Sequence, residues 1–287
     1  SYEDRCNAAA ESFEQDYRCK SALIFFNKEF INRGNTKKNL RKLYKTVSAF
    51  ANNIMKIKAS INDPITIVTA MHEYISNNSI DIDNKTITID ITTFPRQELF
   101  LLLRYIKMQC PSGNIRILYS SPKKYGEWLS YGVKEVISVP SFGGTQIPGR
   151  KKLLVILSGF ESERMFRLWE EHEPSTTILV IGDPPTDKNF LAINKVRANL
   201  LINRANVIVE KASADNPFDF FNSLEKILLL YKKEYNIFIS PMSTKIQSVG
   251  LFLLFEKYNW FQISLAVPND YNVEHYSKGA KLIYEFY

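Results

Sequence analysis

The chain has 287 residues, of which 45% are hydrophobic and 13% are aromatic, so it can bury a full core and is too apolar to be disordered. Its formal charge of +7 favours an anionic partner, a nucleotide or a nucleic acid, although a basic balance also serves solubility alone. No apolar run reaches the ~18 residues of a membrane span, and three cysteines without a CxxC spacing indicate neither a disulfide framework nor a zinc site. We therefore predict a cytoplasmic protein with no membrane partner, no metal site and no cofactor.

Short apolar runs alternate with amphipathic segments through the first half, a pattern typical of buried parallel strands joined by helices. The runs predict strands at 22–26, 54–59, 86–91, 115–119 and 135–139, with helices at 40–47, 65–75 and 97–108. Gly and Pro then cluster at 140–150 as nowhere else, which indicates a domain linker. We therefore predict a first α/β unit over residues 1–148.

The same alternation follows the linker and predicts a second α/β unit over residues 149–287. Its strands are expected at 153–157, 177–181, 207–209, 237–239, 263–267 and 282–286, and its helices at 163–172, 189–201, 218–231 and 246–255. The predicted fold class is α/β, with two tandem Rossmann-like units whose sheets are mostly parallel.

An internal repeat relates the two halves and indicates a duplication. Two residues near the end of the first half recur 146 positions later, and two others recur 147 positions later, in the same order and around the same elements. The pairs are Pro122 and Pro268, Tyr125 and Tyr271, Ser130 and Ser277, and Gly132 and Gly279.

Ligands of open α/β sheets bind beyond the carboxyl ends of the strands, which selects loops as candidate sites without any catalytic motif. The most suggestive loop runs from Ser240 to Lys245, because it leaves a strand and enters a helix. A helix N-terminus offers backbone N–H groups and a partial positive charge, and Ser243, Thr244 and Lys245 add two hydroxyls and a full charge. Together they suit a phosphate or another anion; the alternative is a plain N-cap.

The loop after the first strand of the second half is the next candidate. Gly159 allows a ligand to approach the backbone, and Glu161 can act as a base or hold a ribose hydroxyl. The alternative is a capping box around Ser162 with a solvated Arg164. Five more residues follow predicted strand ends and are therefore candidate ligand-binding residues: Thr92, Thr93, Arg96, Tyr125 and Tyr271. The tyrosines either stack on a base or simply pack at the sheet edge.

The strand, the Ser-Thr-Lys turn and the apolar helix over residues 237–250 resemble a CARF-type domain, and two such units in one chain are similar to the SAVED arrangement. Pro241-Met242-Ser243 stands where that family typically has glycines. The resemblance implies Rossmann-like units that sense cyclic or linear oligoadenylates in prokaryotic defence. Such sensors are usually fused to an effector, so this chain is expected to act with a separate effector protein.

We therefore expect a nucleotide- or phosphate-binding regulatory protein, a sensor in a prokaryotic defence system. One alternative is a hydrolase acting on a glycosidic or phosphodiester bond of nucleotides or nucleic acid, with Glu161 or Asp183 as acid or base. Another is a non-catalytic module that docks a larger partner by its basic face. The chain contains no HExxH, GxSxG, P-loop or GxGxxG motif, which argues against the enzyme classes that use them.

Overall fold

The computed structural model describes residues 1–83, 85–202 and 206–287 and is a mixed α/β protein. It divides into two compact units, Ser1–Glu127 with Asn272–Tyr287, and Trp128–Tyr271. Within the described ranges, no helix has the length and apolar character required to cross a membrane.

The first unit begins with a 3-10 turn at Asp4–Asn7 and includes another at Lys28–Phe30. Its other elements up to residue 127 are α1 (Ala8–Glu11), β1 (Cys19–Asn27), α2 (Thr36–Val47), β2 (Ala51–Ala59), α3 (Thr66–Asn77), β3 (Thr86–Asp90), α4 (Arg96–Gln109) and β4 (Asn114–Tyr125). The strand β1 pairs with β2 and β3 pairs with β4, both in parallel.

The second unit carries the larger sheet. Its elements are β5 (Ser130–Tyr131), β6 (Glu135–Ser138), β7 (Lys151–Leu157), α5 (Ser162–His172), β8 (Thr176–Gly182), α6 (Lys188–Ile202), β9 (Val207–Ala212), α7 (Pro217–Tyr231), β10 (Tyr235–Pro241), α8 (Lys245–Tyr258), β11 (Gln262–Val267) and β12 (Asp270–Tyr271). The chain then returns to the first unit as β13 (Ser277–Phe286), which pairs antiparallel with β4.

Six strands form the sheet of the second unit in the order β6-β11-β10-β7-β8-β9. The pairs from β11 to β9 are parallel, and β6 pairs antiparallel with β11. The five residues Leu153–Leu157 of β7 are all fully buried, so helices must cover both faces of the sheet. Met165 and Leu168 of α5 pack on one face, and Gly250 of α8 lets that helix approach Pro217 of α7 closely.

The predicted helices and strands are confirmed, but the division of the chain differs from the predicted boundary after residue 148. The expected last strand of the first half, β6, pairs with β11 in the second unit, and the expected last strand of the second half, β13, pairs with β4 in the first. The Gly- and Pro-rich segment at 140–150 lies inside the second unit, where Phe142 is fully buried. Sheet pairing between distant segments therefore outweighs the local breaker signal.

Candidate functional site

The order of strands in the second unit changes direction at β7. The chain continues from β7 through α5 to β8 on one side, and it returns through α7 to β10 on the other side. In open parallel sheets such a switch point leaves a crevice at the carboxyl ends of the two central strands. The loops that follow β7 and β10 border this switch point, and they contain the two candidate segments of the sequence.

These two loops lie in direct contact. The backbone N–H of Met242 donates to the Leu157 carbonyl at 3.1 Å, which extends the β7–β10 pairing by one residue. At Gly159 an added Cβ would lie only 2.3 Å from the Met242 carbonyl oxygen. Glycine is thus required at position 159 because the opposite loop occupies the space of a side chain.

Two serine hydroxyls are buried at this switch point. Ser240 pairs in register with Ile156, so it shares a face of the sheet with Ser158. Both residues are fully buried, and among the described residues neither Oγ atom has a hydrogen-bond partner. A buried polar group without a partner costs free energy, and an additional donor or acceptor beside it would recover that cost.

Thr244 is the N-cap of α8, which is the alternative that the sequence offered for this residue. Its Oγ1 accepts a hydrogen bond from the Gln247 N–H at 3.2 Å and donates to the Ala214 carbonyl at 2.9 Å. The Gln247 side chain is fully buried, and its Nε2 donates to the Ser213 carbonyl at 2.9 Å. Both side chains fix the start of α8 to the loop that follows β9.

Ser243 and Lys245 are half-buried, and Lys245 is the first residue of α8. The first turn of a helix has backbone N–H groups without helical partners and a partial positive charge. The lysine therefore adds its charge at the end of the helix that already favours an anion.

The two carboxylates proposed as acid or base are both engaged in ion pairs. Asp183 lies 2.8 Å from the ammonium of Lys211, and its side chain is 31% exposed. Glu161 accepts hydrogen bonds from the Ser130 hydroxyl and, at 2.7 Å, from Arg164. The expectation of a solvated Arg164 is wrong, because the residue is 8% exposed and also binds the Ala266 carbonyl.

The remaining predicted ligand-binding residues lie outside the two loops that follow β7 and β10. In the first unit, Thr92 is buried, and its Oγ1 accepts from the Ser120 N–H at 2.8 Å. Thr93 precedes α4 and Arg96 begins it, and both are half-buried. Burial raises the pKa of Tyr125, which ends β4. In the second unit Tyr271 lies in β12 and pairs with Ser130, and its contact with a ligand stays a prediction.

The first unit contains a further polar cluster that the sequence analysis did not predict. Asn27 ends β1, Glu29 lies in the following 3-10 turn, Ser60 follows β2, and Glu98 lies in the first turn of α4. The pKa of Glu98 is raised to about 8, mainly by burial, while a hydrogen bond from Asn27 lowers this pKa and the Glu29 carboxylate raises it. The signal available for this cluster was an acidic residue, Glu98, directly before the apolar run 99–103 of α4.

No protein-family model matches the chain, and a search of curated proteins found none with a similar sequence.

Proposed function

We propose that the second unit binds a small anionic ligand, a nucleotide or another phosphate compound, between the loops after β7 and β10, and that binding is regulatory. The observation that carries this proposal is the contact between Gly159 and Met242 at the switch point, next to the N-terminus of α8. This combination of a switch point and a helix N-terminus is the arrangement that α/β sheets use for phosphate groups.

Four groups are assigned to the ligand. The anion is bound by the ammonium of Lys245 and by backbone N–H groups of the first turn of α8 other than that of Gln247, which donates to Thr244. The hydroxyls of Ser158 and Ser240 turn toward polar ligand atoms, since both are buried and have no partner among the described residues. Thr244 acts indirectly in this proposal, because it caps the helix and so holds the N–H groups in position.

A regulatory role fits the two carboxylates better than hydrolysis does. Glu161 is bound by Ser130 and Arg164, and Asp183 is bound by Lys211. A general base must reach the proton that it abstracts, and both carboxylates are occupied by donors of this chain. In keeping with the resemblance to CARF-type domains, we infer a sensor that acts on a separate effector, with oligoadenylates as the first ligands to try.

Isothermal titration calorimetry on the full chain with a panel of mononucleotides, dinucleotides and oligoadenylates tests the proposal. We expect saturable binding to at least one of these ligands, and Lys245→Ala should weaken it by roughly a factor of ten or more. The matched control is Lys226→Ala, which removes an exposed lysine of α7 in the same unit. The proposal fails if no ligand of the panel binds, or if both variants bind as the parent protein does.

We also propose that the two units are copies of one Rossmann-like unit that have exchanged their last strands. The pairing registers support this. In β11 with β6 the pairs are Ser264–Ser138, Leu265–Ile137 and Ala266–Val136, and in β4 with β13 they are Leu118–Glu285, Tyr119–Tyr284 and Ser120–Ile283. Each β4 residue lies 146 positions before its β11 counterpart, and each β13 residue lies 147 positions after its β6 counterpart.

The turns before the exchanged strands support the same proposal. Gly132 and Gly279 correspond at the offset of 147, and both have left-handed backbone angles, with φ of +62° and +65°. An added Cβ would meet Asn269 in one case and Lys123 in the other, and these two residues correspond at the offset of 146. The coincidence of register, turn geometry and neighbour is expected of a duplication and not of two unrelated units.

A further inference from the structure

We propose that the first unit binds a divalent cation through the side chains of Asn27, Glu29 and Glu98. This site is separate from the proposed anion site, and its argument does not depend on that function. All three residues belong to segments that follow or adjoin carboxyl ends of strands in the first unit.

The contacts of the cluster bring its oxygen atoms together. The Glu29 carboxylate accepts hydrogen bonds from the Ser60 hydroxyl and, at 3.3 Å, from the Ile61 N–H. These bonds hold Glu29 against the end of β2, which pairs with β1 from Cys19–Ala51 through to Asn27–Ala59. Asn27 in turn donates a hydrogen bond to the Glu98 carboxyl.

The polar atoms that remain unsatisfied are all acceptors. Glu98 is 2% exposed, and its Oε1 has no hydrogen-bond partner among the described residues. The Oδ1 atom of Asn27 is buried and likewise has no partner in the described part of the chain. A bound cation would satisfy both buried oxygens, and it would displace the proton that Glu98 retains when no cation is present, whereas an anion would repel both.

No basic side chain supplies the missing charge. Among the described residues, no lysine, arginine or histidine forms an ion pair with Glu29 or Glu98. Carboxylate and amide oxygens are the ligands that hard divalent cations such as Mg²⁺ and Ca²⁺ prefer, and Mg²⁺ is commonly held by one or two carboxylates together with water. The oxygen set of this cluster fits that requirement.

The second unit offers an internal contrast. Gln247 is the third residue of α8, as Glu98 is the third residue of α4, and each is buried. Because Gln247 is neutral, burial at this position of the helix does not itself require a carboxyl group. A bound cation would explain why position 98 holds an acid beside a second acid.

The test is cation binding by the full chain after treatment with EDTA and buffer exchange. MnCl₂, MgCl₂ and CaCl₂ are titrated separately by calorimetry, and bound Mn²⁺ is also followed by the loss of its free electron-paramagnetic-resonance signal. We expect saturable binding of at least one cation, weakened by roughly a factor of ten or more in Glu98→Gln and in Glu29→Gln. Glu73→Gln on α3, which changes an exposed glutamate of the same unit, should bind as the parent does.

Glu98→Gln keeps the size of the side chain and introduces the residue found at the third position of α8, so it is expected to fold. Circular dichroism verifies this, and Glu29→Gln decides the outcome if it does not. The proposal is overturned if none of the three cations binds saturably, or if all three variants bind as tightly as the parent. Since no nucleotide is present, neither result bears on the anion site.

Discussion

The guanidinium of Arg164 donates two hydrogen bonds to the backbone carbonyl of Ala266, from Nε at 2.9 Å and from Nη2 at 2.6 Å. The same side chain donates to Glu161, and Glu161 accepts from the hydroxyl of Ser130. These contacts tie the start of α5 to β11 and to the short strand β5. They also explain why an arginine on a helix rich in charged residues is buried.

The first unit contains the same arrangement. Arg5 donates to the Ser120 carbonyl at 2.7 Å and pairs with Glu3, and Glu3 accepts from the Ser277 hydroxyl at 2.6 Å. Ser120 lies 146 positions before Ala266, and Ser277 lies 147 positions after Ser130. Arg5 lies in a 3-10 turn and Arg164 lies in a helix. Different elements therefore supply the arginine that binds the carbonyl of Ser120 in one unit and of Ala266 in the other.

Arg164→Ala should destabilise the protein strongly, because the buried Ala266 carbonyl and the half-buried Glu161 carboxylate both lose the guanidinium as a donor. The expected loss is about 3 kcal/mol in the free energy of unfolding, measured by urea denaturation. Arg167→Ala is the matched control, since its side chain lies one turn away on α5 and is 49% exposed. Equal stability of the two variants would contradict the structural role of Arg164.

Thr244→Ala should cost about 1 kcal/mol of stability, the usual effect of losing an N-cap. Thr244→Ser keeps the hydroxyl, so it should retain most of the stability and of the ligand affinity. Urea denaturation and calorimetry of the two variants measure both quantities. Were Thr244 a direct ligand contact alone, Thr244→Ala would lower the affinity while the stability stayed that of the parent protein.

Gly159→Ala tests whether the close approach of the two loops matters for binding. The added methyl group would meet the Met242 carbonyl and push the loops apart, so we expect lower stability and weaker binding of the ligand. Gly143→Ala is the control, because an added Cβ there has no atom within 4 Å among the described residues. Indistinguishable calorimetric titrations for the two variants would remove the loop contact from the site.

Much of the fold was predictable because a strand that is buried on both faces of a sheet requires a continuous run of apolar residues. Runs such as 153–157 and 178–181 are continuous and apolar, and they belong to strands of the sheet in the second unit. The loops at 158–164 and 240–245 were predictable for the same reason. Each directly follows a recognisable strand, and the switch point brings both loops together.

The rest depends on contacts between residues that are far apart in the chain. The strand β6 follows β4 closely in sequence but pairs with β11, and nothing in its four residues indicates the partner. The cluster of Asn27, Glu29 and Glu98 has no recognisable spacing, since three different elements bring it together. Arg164 reads as a surface residue because its acceptor, a backbone carbonyl 102 positions away, carries no sequence signal.

The stability of the first unit should depend on the ionisation of Glu98 when cations are removed by EDTA. Burial raises the pKa of this carboxyl from 4.5 to about 8, so the folded protein retains a proton that the unfolded chain loses. The stabilising contribution is therefore complete below pH 4.5, falls as the pH rises toward 8, and is absent above it. The slope is about 1.4 kcal/mol per pH unit within that window.

Glu98→Gln removes this dependence, because its amide does not titrate. Its stability advantage over the parent should thus grow between pH 5 and pH 8, as measured by urea denaturation at a series of pH values in EDTA. Glu73→Gln serves as the control for the loss of one surface charge. Parallel stability curves for the parent and Glu98→Gln would show that the carboxyl is already ionised in the folded protein.

The proposed exchange of the last strands predicts that substitutions in β13 affect β4 and that substitutions in β6 affect β11. The pairs Ile283 and Tyr284 in β13 and Val136 and Ile137 in β6 occupy equivalent positions in the two registers. Along a strand, the backbone N–H groups of successive residues point alternately toward the two sides of the strand. Replacing two adjacent residues by proline therefore always removes one hydrogen bond to the neighbouring strand. Hydrogen exchange followed by mass spectrometry should show lost amide protection in β4 for the β13 variant, and in β11 for the β6 variant. If either double proline variant lowered protection in the strand of the other unit instead, the exchanged pairing would be refuted.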